Sequence, residues 1–234
     1  MDIELDDDGE KNEYADLGNE DGEREISQKD CFLFIIDAHQ RMTEPSGGGP
    51  SPFTQALRAV KKTMEDRILG GDQDLIGVLL YGTEETKVPN DHQGFPHIYL
   101  LQDLEVPSAQ AITGLNRLIE DGATHAFGHM RSDAAEQCDF ANVLWVTSMI
   151  FNTNPKAKQT RRRAYIITDN DSPAGGSAAA RQRAITRGQD LQDAHVWLEP
   201  FFFAPPPPAT FDLGEGSFWK QIVGDVRANY KGAP

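Results

Sequence analysis

Two carboxylates stand where an α/β sheet would be expected to do its chemistry. The run Cys31–Ile36 is apolar throughout and ends at Asp37, and the run Ala164–Thr168 ends at Asp169. Ligands in open α/β sheets bind beyond the carboxyl ends of the strands. Carboxylates and hydroxyls there could supply the near-octahedral oxygen shell that magnesium demands. The residues after Asp37 spoil that shell: Ala38, His39, Gln40 and Arg41 bring an imidazole and a guanidinium. Arg41 cannot lose its proton and would repel a cation. The expected arrangement is cation-independent, with Asp37 in contact with Arg41, and no metal is expected.

Other candidate chemistry is thinner. His125 and His129 have the i, i+4 spacing of a helical zinc pair, with Asp133 and Cys138 nearby. Gly122 and Gly128 argue against a rigid helix there, and a loop with solvated or core histidines is favoured. No Gly-x-x-x-x-Gly-Lys-Ser/Thr run exists to cradle a nucleotide phosphate, and Gly47-Gly-Gly49 lacks the lysine. No Gly-x-Ser-x-Gly elbow or Ser–His–Asp order is present. No catalytic residue and no cofactor is therefore assigned. Arg161-Arg-Arg163 could touch phosphate, but arginines entering a strand more often cover a sheet edge and pair with acids.

The net charge of −15 is uneven. Residues 1–26 hold twelve acids and two bases, a net −10, which leaves −5 for the other 208 residues. Residues 1–28 read as an acidic disordered tail, solvated or competing with DNA for a partner's basic surface. The chain lacks the basic stripe that non-specific DNA binding requires. No run approaches the roughly 20 apolar residues of a membrane span, and the acidic amino terminus does not resemble a secretory signal. Cys31 and Cys138 lie in or beside apolar segments, as buried reduced thiols do, and an intracellular compartment is the plain reading.

The elements that must position these residues alternate. Strands are expected at 31–36, 75–81, 97–101, 164–168 and 196–203. Residues 43–52 form a loop by composition. Helices are expected at 53–69, 108–120, 140–151, 177–193 and near 218–226. Residues 121–137 read as irregular and Pro205–Pro208 as polyproline. On the helix 177–193, Arg183 and Arg187 share a face with Asp190 one turn on. Charge pattern alone reads this as a solvated helix held by weak i, i+3 and i, i+4 pairs of about 0.2–0.5 kcal/mol each. Strands alternating with helices imply a doubly wound, mostly parallel sheet.

The run Asp74-Leu-Ile-Gly-Val-Leu-Leu-Tyr-Gly-Thr-Glu-Glu-Thr-Lys87 closely resembles the amino-terminal domain of Ku, the DNA-end-binding heterodimer, in its lighter subunit. Five further runs resemble that domain in order. They are Cys31–Asp37, Ile98–Leu104, Val143-Leu-Trp-Val146, Ala164–Asp171 and Gly188–Asp193, so the likeness spans about residues 29–220. The resemblance implies a von Willebrand factor A-like domain over residues 29–228: a parallel sheet with one antiparallel edge strand, flanked by helices. Residues 229–234 would be a truncated linker. The Ku barrel and carboxyl-terminal arm have no counterpart, so the chain is expected to be a fragment or isolated domain; its final residues look uncapped, with no clear closing helix, and marginal independent stability is expected. Metal-holding relatives carry Asp-x-Ser-x-Ser after the first strand, and here His39 and Arg41 replace both serines.

The resemblance also implies a function. Ku threads onto broken or telomeric DNA ends and recruits end-joining factors in the nucleus. Direct DNA contact from this domain is expected to be slight. Its partners would be the heavier Ku subunit and end-joining or telomere proteins, the latter through an outward helix bearing Asp190 and Asp193, with Arg183 and Arg187 beside them. Family members carry helicase labels, which nothing in these residues supports. The family's lyase lysine falls near Glu25, and Lys29 is the only close amine, so lyase activity is not expected. The alternatives are a metal-dependent ligand-binding A-domain, against which the missing serines speak, and a nucleotide-using α/β enzyme, against which the missing phosphate loop speaks.

Overall fold

The computed structural model describes residues 29–45, 48–89, 94–120, 127–128, 138–204 and 210–223. Among them five strands form one sheet: β1 (Asp30–Asp37), β2 (Leu75–Tyr81), β3 (Ile98–Glu105), β4 (Arg161–Thr168) and β5 (Val196–Phe202). Their order is β3-β2-β1-β4-β5. All neighbours are parallel except β3, which runs antiparallel to β2 at one edge. The accompanying helices are α1 (Gln40–Thr43), α2 (Pro52–Gly70), α3 (Ala109–Glu120), α4 (Phe140–Thr153), α5 (Ala178–Asp193) and α6 (Phe218–Val223).

The chain builds outward from β1 in both directions, to β2 and β3 on one side and β4 and β5 on the other. The reversal falls between β1 and β4, which is where such sheets open a crevice. Strands β1 and β2 are apolar on both faces because both faces are covered. Leu33 and Ile35 pack toward α4, α5 and α6, against Val143, Leu144 and Trp219. Phe32, Phe34 and Ile36 pack on the opposite side with Phe53, Leu57, Val60 and Met64 of α2.

Local sequence sets the helix ends. Ser51 caps α2 by accepting from the Thr54 amide at 3.1 Å, Pro52 occupies its first turn, and Gly71 ends it in the left-handed region at φ +71°. Asp139 caps α4 through the Ala141 amide. These caps fix the ends of helices that cover opposite faces of the sheet, and α4 lies beside α5 on one of them.

Some boundaries differ from the sequence reading. Helix α1 occupies Gln40–Thr43, running into the start of the expected loop. Strand β3 extends to Glu105 because shifts in register near Val78 let its tail keep pairing with Ile76. Strand β4 begins at Arg161, so the three arginines lie within it, paired in register with Asp30, Cys31 and Phe32 of β1. Of residues 121–137 only Phe127 and Gly128 are described. Phe127 is fully buried against Phe53 and Tyr99. His125, His129, Asp133 and Pro205–Pro208 lie outside the described residues. Helix α6 is firmly seated: Phe218, Trp219 and Ile222 are buried, and the Trp219 indole donates to the Asn170 carbonyl at 3.0 Å. Among the described residues no helix is long and apolar enough to cross a membrane.

Candidate functional site: the sheet crown and the outer helix

The carboxyl ends of β1 and β4 bring Asp37, His39, Arg41 and Asp169 together. Asp37 is buried, and its two oxygens are fully engaged. Oδ1 accepts from the His39 backbone amide at 3.0 Å and from the His39 ring Nδ1 at 2.6 Å. Oδ2 accepts from the Tyr81 hydroxyl at 3.0 Å and the Thr168 hydroxyl at 2.6 Å. A carboxylate offers about four acceptor positions, so four donors exhaust it.

The Arg41 partner differs from the one expected. Arg41 does not reach Asp37; its guanidinium donates to Asp169 at 3.2 Å, and His39 takes the position beside Asp37. The reason is geometric. His39 lies two residues after Asp37, and its ring folds back on the carboxylate. Arg41 sits in the single turn of α1, from which its longer side chain spans to the neighbouring strand end.

The electrostatics follow from this packing. Burial alone would raise Asp37, but hydrogen bonds from His39, the His39 charge and the Thr168 hydroxyl outweigh it and hold the carboxyl below its ordinary value. Burial opposes a charge on His39, yet the hydrogen bond and charge of Asp37, reinforced by Asp169, raise it above the usual imidazole value. Burial also pushes the Tyr81 phenol well up, which keeps it a donor. Asp169 is raised by burial, with Arg41 only partly offsetting it. Gly82 closes the crown. It sits at φ +75°, and a Cβ there would lie 2.4 Å from His39 Nδ1.

A divalent cation fits this donor set poorly. It would have to displace the donors on Asp37 and stand beside the Arg41 guanidinium on Asp169. Among the described residues no three His, Cys, Asp or Glu side chains converge in a way that could hold a metal ion. Cys31 and Cys138 are buried and free, and burial pushes each thiol up to about 12, which disfavours the thiolate.

The other candidate residues lie on α5, away from the crown. Arg183 donates to the cap residue Asp139 at 2.8 Å, and Arg187 donates to Asp190 at 3.1 Å. The Arg187 guanidinium also lies 4.3 Å from the Trp145 ring centroid on α4. Asp190 and Asp193 are both exposed. The arginines at the start of β4 are tied locally: Arg161 pairs with Asp30 at 2.7 Å and Arg162 donates to the Ala157 carbonyl. Arg163 lies over Trp197. Lys29 is exposed beside the start of β1.

Tyr81, Thr168, Gly82 and Trp145 lie in the runs that carry the resemblance but were not named as site residues. The first three carry a further signal, since each sits at the carboxyl end of a strand or one residue past it. Trp145 is the one large apolar residue of α4 left exposed, at 40 %.

A parallel sheet with one antiparallel edge, helices on both faces and paired aspartates at the strand reversal define a doubly wound α/β domain. Residues 31–230 match the family described as the Ku70/Ku80 N-terminal alpha/beta domain, and the chain belongs to that family. A Chaetomium globosum protein called ATP-dependent DNA helicase II subunit 1 is 34% identical over 199 residues, covering 78% of this chain and 32% of that one. The Aspergillus sojae protein of the same name is 33% identical over 219 residues, covering 88% of this chain and 32% of the relative. Mouse X-ray repair cross-complementing protein 6 is 29% identical over 205 residues, covering 86% of this chain and 32% of its own. These relatives are lighter-subunit (Ku70-type) proteins, and the chain spans about a third of their length. The fold alone is shared with BatB of Bacteroides thetaiotaomicron. The TM-score is 0.52 at 11% identity, over 84% of this chain and 86% of that one.

Proposed function

We propose that this domain is a non-catalytic docking module of a lighter Ku subunit. In this reading it acts in the nucleus, including at telomeric chromosome regions, in double-strand break repair by non-homologous end joining. It would help pair the subunit with its heavier partner and present a surface to end-joining and telomere proteins at DNA ends. DNA itself would be held mainly by other parts of the complex, because the described body offers no basic stripe.

One observation carries the non-catalytic reading: the four acceptor positions of Asp37 are all taken by the protein's own donors. A carboxylate saturated in this way is neither a free base nor a free metal ligand. The helicase names of the relatives find no phosphate-cradling loop in this sequence. A metal-dependent A-domain would need oxygens that the crown has already committed, and Asp37, His39, Arg41 and Asp169 are read as a degenerate metal site.

Helix α5 is the proposed recruiting surface, with Asp190 and Asp193 outward and Arg183 and Arg187 beside them. The test is charge reversal, Asp190→Lys with Asp193→Lys, in the assembled heterodimer. End joining should fall while affinity for a DNA end stays unchanged. Parallel loss of both would defeat the docking role.

A further inference from the structure

Between α4 and α5 lies an open groove of about 650 Å³. That is within the range of roughly 300–1,000 Å³ typical of ligand sites. Its shape comes from sequence spacing. Ala141 and Trp145 stand one turn apart on α4; Ala179, Arg183 and Arg187 stand at the same spacing on α5. Ala141, Ala179 and Phe95 make part of the lining apolar, and the Arg187 guanidinium lies over the Trp145 ring.

The charge of the lining is one-sided. Among the described residues it includes two cations, Arg183 and Arg187, and no carboxylate. Each guanidinium has five N–H donors. The ion pairs of Arg183 with Asp139 and of Arg187 with Asp190 each engage a single terminal nitrogen, on carboxylates that do not line the groove. Donors therefore remain for an incoming acid, and arginine binds carboxylates in a bidentate fashion. The Trp145 side chain stays partly exposed beside Arg187, whose guanidinium lies over its ring.

We infer that this groove binds a short acidic peptide segment of a partner protein, with a Phe, Trp or Leu side chain seated over Ala141 and Ala179 and flanking Asp or Glu carboxylates on Arg183 and Arg187. The inference rests on the docking reading above and names the chemistry of its partner. A nucleic-acid strand fits less well. Two cations in a chain of net charge −15 cannot offset the repulsion along a phosphate backbone, whereas one or two peptide carboxylates need only the two arginines.

The test begins with selection from a random peptide library against the full chain. Selected peptides are resynthesised with a fluorophore and titrated by anisotropy. Enrichment of Asp or Glu beside Phe, Trp or Leu is expected. Arg187→Gln and Trp145→Leu should each weaken binding by about tenfold, with melting temperature checking that each variant folds. Arg187→Gln changes a partly exposed side chain and leaves no cavity in the core, so it serves if Trp145→Leu fails to fold. Selected peptides without acids, binding indifferent to both substitutions, or displacement by single-stranded DNA at equal concentration would overturn the inference. Loss of end joining on Asp190 and Asp193 reversal, together with no groove-dependent peptide, would sink this inference alone and leave the docking role standing.

Discussion

His39 donates to the same Asp37 oxygen twice, from its ring at 2.6 Å and from its backbone amide at 3.0 Å. The pair does inside the fold what a bound cation would otherwise do at this crevice: it supplies positive charge to a buried carboxylate. Buried charges persist only when paired and hydrogen-bonded, and here the partner is a titratable imidazole.

Stability should therefore depend on pH with a defined shape. The folded His39 is raised above its unfolded value near 6.5, so its contribution is complete below that pH and fades as pH climbs through the folded value. The folded Asp37 is lowered from its unfolded value near 3.8, so its contribution is present above that pH and disappears on acidification below it. Melting temperature against pH should fall on the acid side as Asp37 takes up its proton and on the alkaline side as His39 loses its own. In His39→Gln the alkaline fall should flatten. An unchanged alkaline limb in that variant would remove His39 from the account.

Gly82 is the backbone position on which the crown depends. Its φ of +75° disfavours any side chain, and an added Cβ would meet the His39 ring at 2.4 Å. Gly82→Ala should cost about 2 kcal/mol or more, because it combines left-handed strain with displacement of a buried partner. Denaturant unfolding measures this. A cost below about 0.5 kcal/mol, the level of an ordinary surface change, would mean that the ring is free to move aside.

The skeleton of this arrangement is legible in the order of residues. Strand β2 announces itself because Leu75–Tyr81 has no charged residue, and Asp37 and Asp169 each follow an apolar run directly. The pairing inside the crown is not legible there. Whether Arg41 meets Asp37, four residues away, or Asp169, 128 residues away, depends on where β4 lies relative to β1, which local spacing does not encode. Thr168 and Tyr81 read as strand residues because only the folded sheet aims their hydroxyls at one carboxylate. Trp145 falls off the inward 3–4 spacing of α4, but nothing in the sequence says that Arg187 will lie over it.

The end of the described chain is better anchored than its sequence suggests. Trp219 is buried against Phe140, Phe202 and Phe218, and its indole donates to Asn170 on the loop after β4. Trp219→Ala should cost about 3–5 kcal/mol through the cavity it leaves and should loosen α6 from α5 and β5. Thermal unfolding with hydrogen exchange at Ile222 and Val223 checks both effects. Little loss of stability would show that α6 merely rests on the sheet.

The most direct test of the central claim is a manganese titration followed by electron paramagnetic resonance, comparing the unaltered chain with Asp37→Asn. A crevice closed by its own donors predicts a spectrum that stays that of the free aqueous ion, identical for the two proteins, up to millimolar metal. Saturable one-to-one uptake by the unaltered chain, lost in Asp37→Asn, would contradict it.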